Sequence, residues 1–147
     1  VALMISAREL KDKVVDAFNQ HDVPGIVRYF APRAVLVSPT GLTEGREQIG
    51  WYYEHLFEGF PDIKITTWNK PLLDDPAVIE YMYTGTHQGP FLLADGSVLQ
   101  ATGRPIAVRG AAVASIENGL ITTDRDYYDQ LEWYAQLGIP FTTKIPA

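Results

Sequence analysis

The chain has 147 residues, 12 Lys+Arg against 18 Asp+Glu for a formal charge of −6, and no cysteine. That length fits one domain over residues 1–147 with a core of its own, and 46% hydrophobic against 20% charged residues excludes disorder. The acidic balance, with a pI near 4.9, excludes the basic footprint that nucleic acid or an anionic membrane surface requires. The lack of cysteine removes disulfides, thiolate nucleophiles, Fe–S clusters and thiolate zinc sites.

Val1 to Ile5 is short, uncharged and followed at once by a charged helical pattern, which is not the plan of a signal peptide. No run approaches the roughly 20 apolar residues of a membrane span, so a cytoplasmic protein is expected. Ser6 with Glu9 three residues on is a capping-box signature, and Leu10, Val14, Ala17 and Phe18 follow at one-face helical spacing. Asn19 to Asp22 breaks that helix, and Asp22 can cap a short second one with Pro24 in its first turn and Ile26, Tyr29 and Phe30 inward. Ala34 to Ser38 predicts a short strand ending at Pro39-Thr40-Gly41. A third helix runs from about Glu44 to Gly59, with Ile49, Tyr53, Leu56 and Phe60 as its apolar stripe.

The period then changes. Ile63 to Trp68, Val78 to His87, Ile106 to Ile116 and Leu120 to Asp129 alternate as strands do, and Asn118-Gly119 between the last two is a strong hairpin signal. Asp95-Gly96 suggests a second hairpin tip, over the mouth of a pocket. Asp129 with Glu132 starts a last helix with a Leu131, Tyr134, Leu137 stripe, closed by Gly138 and Pro140. Helices followed by long strands give an α+β layout. Ile106 to Ile116 is apolar on both parities, so something besides helices covers the second face, and a second copy of the chain is the economical cover.

Asp126 stands out chemically. It lies inside a strand on the parity of Thr122, Asp124 and Tyr128, among aromatics. In a cavity, desolvation would raise its pKa into the range useful for proton transfer; the alternative is a structural ion pair with Arg125 or another arginine. His87 shares one parity with Tyr81 and Tyr83, and an imidazole beside phenols could relay a proton or hold a carbonyl oxygen. Its alternative is a turn histidine bonding to backbone. His21 and His55 have no carboxylates at chelating spacing, so no metal site is expected. There is no Gly-rich phosphate loop, no Gly-x-Ser-x-Gly elbow and no His-Glu-x-x-His. Aromatics such as Trp51 serve a core and could also line an apolar pocket.

The order Asn19 to Phe30, Gly85-Thr-His87-x-Gly89, Thr102-Gly-Arg104, Asn118-Gly119-x-Ile121, Asp126 and Gln136-Leu-Gly138 resembles the SnoaL-like polyketide cyclases of the nuclear-transport-factor-2-like superfamily, over Ser6 to Gly138. The resemblance implies three N-terminal helices packed on a strongly curved antiparallel sheet, forming a cone with a deep pocket, and a short C-terminal helix. It implies a homodimer and aldol-type ring closure or isomerisation of an apolar, carbonyl-bearing small molecule, without cofactor or metal. Asp126 matches the family's general acid/base, and His87 is its expected catalytic companion. Tyr81, Tyr83, Tyr128, Trp51, Gly110 and Ala112 are the expected substrate contacts. Gly110 and Ala112 stand where those cyclases carry a Gln and a His, which predicts a larger pocket and asks another group to polarise the substrate. Epoxide opening of the limonene-epoxide-hydrolase type and a non-catalytic module for a hydrophobic ligand are the alternatives. Steroid-isomerase chemistry is disfavoured by Val14 and Ser38 in the places where that branch carries its Tyr and Asp. On the outer face of the sheet, Ala107, Ala111, Val113 and Ser115 suit a flat dimer contact in which Arg109 would need a carboxylate.

Overall fold

The structure, a computed structural model, describes residues 5–71 and 74–141; Val1 to Met4 of the N-terminal segment considered above lie outside them. The first helix, α1 (Ala7–Asn19), starts in a reciprocal capping box, with Ser6 accepting from Glu9 N–H and Glu9 from Ser6 N–H. Asp22 caps α2 (Val23–Val27) through Gly25 N–H. The chain then runs through β1 (Phe30–Ser38), β2 (Gly41–Glu44), α3 (Gly45–Gly59), β3 (Lys64–Asn69) and β4 (Ala77–Thr86). A small hairpin, β5 (Phe91–Leu92) and β6 (Val98–Leu99), precedes the long strands β7 (Pro105–Glu117) and β8 (Leu120–Tyr128) and the last helix, α4 (Gln130–Gln136). Asn118 and Gly119 join β7 to β8 with φ of 50° and 75°, the paired positive values of a type I′ turn.

The six-stranded sheet has the order β2-β1-β8-β7-β4-β3, and β5 and β6 pair separately. It is a curved, open, mixed sheet rather than an antiparallel one: β1 runs parallel to β8, with Leu36 opposite Asp124. One helix and six strands separate β1 from β8 in sequence, so the two can pair in either direction, and alternation alone carries no sign of that direction. Two further expectations are corrected. Phe30 opens β1 instead of ending a helix, because the turn after α2 leaves it buried on the strand. On α4 it is Trp133 and Leu137 that are buried, while Leu131 is 54% exposed.

Tyr81 and Tyr83 of β4, Ile106, Val108, Ala112 and Ala114 of β7 and Leu36 of β1 form the inner face, against Leu10, Val14 and Phe18 of α1 and Ile49, Tyr53 and Leu56 of α3. Phe60, fully buried at the end of α3, meets Phe91 and Trp133 edge-on with centroids 5.1 and 5.6 Å away. The outer face carries Trp68 and Tyr127, both more than half exposed, and exposed Arg109.

A charged pair enters this core. Lys11 lies on the stripe of Ala7, Val14 and Phe18, and its Nζ is 2.6 Å from Asp124 Oδ2; the two side chains are 7% and 3% exposed. Breaking such a pair leaves a buried charge alone, whereas replacing both partners by apolar groups is often neutral or stabilising. Lys11→Met alone should therefore cost about 3–5 kcal/mol, and Lys11→Met with Asp124→Leu should recover most of that loss. Urea unfolding midpoints of the two variants check this; equal losses would contradict it.

Candidate active site

Asp126 lies opposite Ala112 on the inward parity of β8. Tyr81 Oη donates to its Oδ1 at 2.7 Å and Tyr83 Oη to its Oδ2 at 3.2 Å. Glycine at 110, the register partner of Tyr81, makes this possible: a Cβ there would stand 2.6 Å from the Tyr81 hydroxyl. The space left by Gly110 is thus filled by a phenol, and the expected enlargement of the pocket at this point does not occur. Ala112 is 1% exposed beneath the carboxylate.

Among the described residues no cation pairs with Asp126. Arg125 points to the other face and donates to Thr123 Oγ1 at 3.0 Å, while Lys11 is taken by Asp124. Burial is the largest influence on the Asp126 carboxyl and pushes its pKa up. The ammonium of Lys11 and the phenol hydrogen bonds pull it down, the charge of Asp124 pushes it up again, and the result is about 6. Burial, reinforced by the charge of Asp126, holds Tyr52, Tyr53, Tyr81 and Tyr83 well above the ordinary phenol range. Tyr128 is pushed up to about 12 by the same two causes, against hydrogen bonding from Tyr52, Ser38 and Thr40. Around neutrality all five are protonated and able to donate.

A cavity of about 670 Å³ opens beside this cluster. Trp51, Tyr52, His55 and Leu56 of α3 form one wall, Phe91 to Ala94 and Gly96 of the β5–β6 hairpin another, and Tyr128 and Trp133 the inner side. Thr40, Thr43 and Gln48 supply its polar rim. Asp126 is not on the lining, but Tyr128, two residues along the same strand face, is. His55 Nε2 accepts the Leu92 N–H at 2.9 Å and its ring stacks on Phe91, so it ties the hairpin to α3; burial lowers its pKa and favours this neutral form.

Of the residues expected at the site, Asp126, Tyr81 and Tyr83 come together, and Tyr128 and Trp51 reach the cavity. His87 does neither. It is fully buried with its ring against Phe60, and its Nδ1 lies 2.9 Å from Thr102 Oγ1 and accepts the Thr102 N–H. Burial lowers its pKa. Lys11, Tyr52 and His55 were not singled out from sequence. A lysine on an apolar helical stripe is a visible signal, and Gln48, Tyr52 and His55 form a second, mixed stripe beside the core-facing one on α3. Among the described residues no three His, Asp or Glu side chains converge as metal ligands, and no helix is long and apolar enough to cross a membrane.

A family model of SnoaL-like polyketide cyclases matches residues 8–137, and the chain belongs to that family. Solved structures share the fold. A candidate SnoaL-like polyketide cyclase from Jannaschia sp. CCS1 is 22% identical with a TM-score of 0.79, covering 91% of this chain and 92% of that one. AclR from Streptomyces galilaeus, a candidate hydroxylase, is 22% identical with a TM-score of 0.75, covering 90% and 95%. A ketosteroid-isomerase-like protein from Catenulispora acidiphila, solved with trimethylamine, is 24% identical with a TM-score of 0.74, covering 92% and 98%. No curated protein sequence matches the chain.

The raised carboxyl has a consequence for stability. A carboxyl with a folded pKa of about 6 against an ordinary value of 3.8 favours the folded state most when protonated. That contribution is full below the unfolded value and is lost as pH rises through about 6. Asp126→Asn, which keeps an acceptor for the phenols and carries no charge, should then be more stable than the parent at pH 8 by about 1–3 kcal/mol, with the difference gone below pH 4. Denaturation at the two pH values measures it; a destabilised variant at pH 8 would refute the assignment.

Proposed function

We propose that the protein is a cofactor-independent acid/base enzyme that closes or isomerises an apolar, carbonyl-bearing small molecule, with Asp126 as the proton-transfer group. The observation that carries this reading is a carboxylate with no paired cation among the described residues, held between two phenols inside a cone, its pKa pushed up to about 6 beside an aromatic cavity. Family membership agrees with it. As a carboxylate, Asp126 takes the proton from the carbon next to the substrate carbonyl once the Tyr128 ring turns aside to open it to the cavity, whose wall it does not itself reach, and the negative charge moves to the carbonyl oxygen. Tyr52 and Tyr128, protonated and on the cavity wall, are placed to donate to that oxygen, the role that Gly110 and Ala112 cannot fill. The enolate carbon then attacks a second carbonyl of the same molecule, or is reprotonated elsewhere in an isomerisation, and Asp126 returns its proton. His87 takes no step in this scheme.

Asp126→Asn should lower kcat about 10²–10⁴-fold on any substrate the enzyme turns over, with the bound ligand retained. Full turnover by that variant would end the proposal, and unchanged binding with no chemistry in the parent would favour the ligand-binding alternative. Epoxide opening has one observation on its side, a second carboxylate, Asp124, beside the first. That carboxylate is 3% exposed and bound to Lys11, which leaves it poorly placed to activate water against a substrate.

The dimer is part of the same proposal. Ala107, Arg109, Ala111, Val113 and Ser115 share the outer face of β7, and none is fully buried in the single chain. Sedimentation at low micromolar concentration should give twice the 16.4 kDa of one chain, and Val113→Glu should return it to a monomer; a monomeric parent would refute the contact.

A further inference from the structure

We infer that the preferred ligand of the aromatic cavity carries a positive charge, a protonated amine, that completes the charge of the buried Lys11–Asp124–Asp126 cluster. The inference refines the substrate class of the site proposed above and rests on its being a ligand cavity.

The first ground is charge balance. Among the described residues the cluster joins two carboxylates, Asp124 and Asp126, to one ammonium, Lys11, which is bound to Asp124 at 2.6 Å. With Asp126 ionised the cluster is one positive charge short. Hydrogen bonds from Tyr81 and Tyr83 disperse that charge without cancelling it, and Asp124 Oδ1 is buried with no hydrogen-bond partner among the described residues. An uncompensated charge at low dielectric is costly and is relieved by a proton or by a counter-ion.

The second ground is the cavity. No Lys, Arg, Asp or Glu is among its lining residues, so nothing there repels a cation or already supplies one. His55, its one titratable base, accepts the Leu92 N–H and is kept neutral by burial. Trp51, Tyr52, Phe91, Tyr128 and Trp133 present rings to the space, and ring faces attract cations more strongly when water is excluded. Thr40 and Gln48 offer oxygens to ammonium hydrogens. Asp126 stands close to this wall: Tyr83, which donates to it, has its ring centroid 6.1 Å from that of Tyr128, a lining residue two positions along the Asp126 strand.

The groups that face Asp126 are Lys11 of α1, Tyr52 and Tyr53 of α3, Tyr81 and Tyr83 of β4, and Asp124 and Tyr128 of β8. The pKa of Asp126 is pushed up to about 6 while the phenols around it are pushed above their ordinary range, so the cation preference should follow the ionisation of Asp126.

The test compares two probes with the same ring, 1-naphthylmethylammonium and neutral 1-naphthalenemethanol, by isothermal titration calorimetry. At pH 8 the ammonium should bind the parent about tenfold or more tightly than the alcohol. At pH 5 that preference should fall towards unity, and it should be absent at both pH values in Asp126→Asn. The double variant Lys11→Met with Asp124→Leu keeps the charge of Asp126 and should keep the preference, which separates the charge from any loss of packing. Equal affinities in the parent at pH 8, or a preference that survives Asp126→Asn, would overturn the inference. Neither probe undergoes the proposed reaction. Loss of turnover in Asp126→Asn without a cation preference in the parent would therefore defeat this inference and leave the acid/base reading standing.

Discussion

The site depends on one constraint: a carboxylate inside a protein must be protonated, paired or surrounded by donors. Asp126 receives two phenol hydrogen bonds and no cation of its own among the described residues. Donors alone stabilise the anion less than a full counter-charge would, so burial wins and the proton affinity rises. Had Lys11 reached Asp126 instead of Asp124, the same cone would hold a contact ion pair with a depressed pKa at Asp126. The placement of one ammonium two residues along the strand thus decides between structural and chemical roles for the carboxylate. It also explains why the neighbouring Asp124, of the same residue type and on the same strand face, is the structural member.

The phenols extend that logic outward. A phenol next to an anion resists ionisation, which keeps Tyr52, Tyr81, Tyr83 and Tyr128 as donors across the range in which Asp126 titrates. Two of them satisfy the carboxylate and two stand at the cavity, so the carboxylate and the cavity phenols belong to one polarised group. Gly110 is the sequence-level counterpart of this arrangement. Its missing side chain is the room through which the Tyr81 hydroxyl reaches Asp126, so a position that reads as a loss of polarity in the chain is the condition for a different polar contact.

Helix caps, strand alternation and the Asn118-Gly119 turn were legible in the chain because each depends on neighbours close in sequence. Asp126 was legible too, as a carboxylate on an apolar strand. The parallel pairing of β1 with β8 and the Lys11–Asp124 contact join residues about 90 and 113 positions apart, and no local pattern encodes which distant partner is met. Leu131 and Trp133 show the limit of periodicity in a short helix: with seven residues, two stripes fit the spacing, and the large ring takes the core position because it fills the space beside Phe60 and Tyr128. His87 shared the parity of Tyr81 and Tyr83 as expected. Parity, however, places a side chain on a face and says nothing of how far along the strand it acts. At the end of β4 it meets Thr102 and Phe60, not Asp126.

The two halves of the site are built from different material. Asp126 and its phenol donors stand on β8 and β4, flanking β7 in the middle of the sheet, where hydrogen bonds on both sides hold the backbone. Much of the cavity wall comes instead from the β5–β6 hairpin, which lies outside that sheet and is tied to the body by side chains: His55 to the Leu92 N–H and Tyr134 to the Ala94 N–H. Geometry that must be kept to a fraction of an ångström sits on central strands, and geometry that selects the ligand sits on a loop that can change without disturbing them. A change in the hairpin therefore alters what the cavity admits while leaving the charge balance of the cone intact. In the proposed reaction, substrate range and proton chemistry are for that reason separable, and they meet at Tyr128, which lines the cavity and stands two residues beyond Asp126 on its strand.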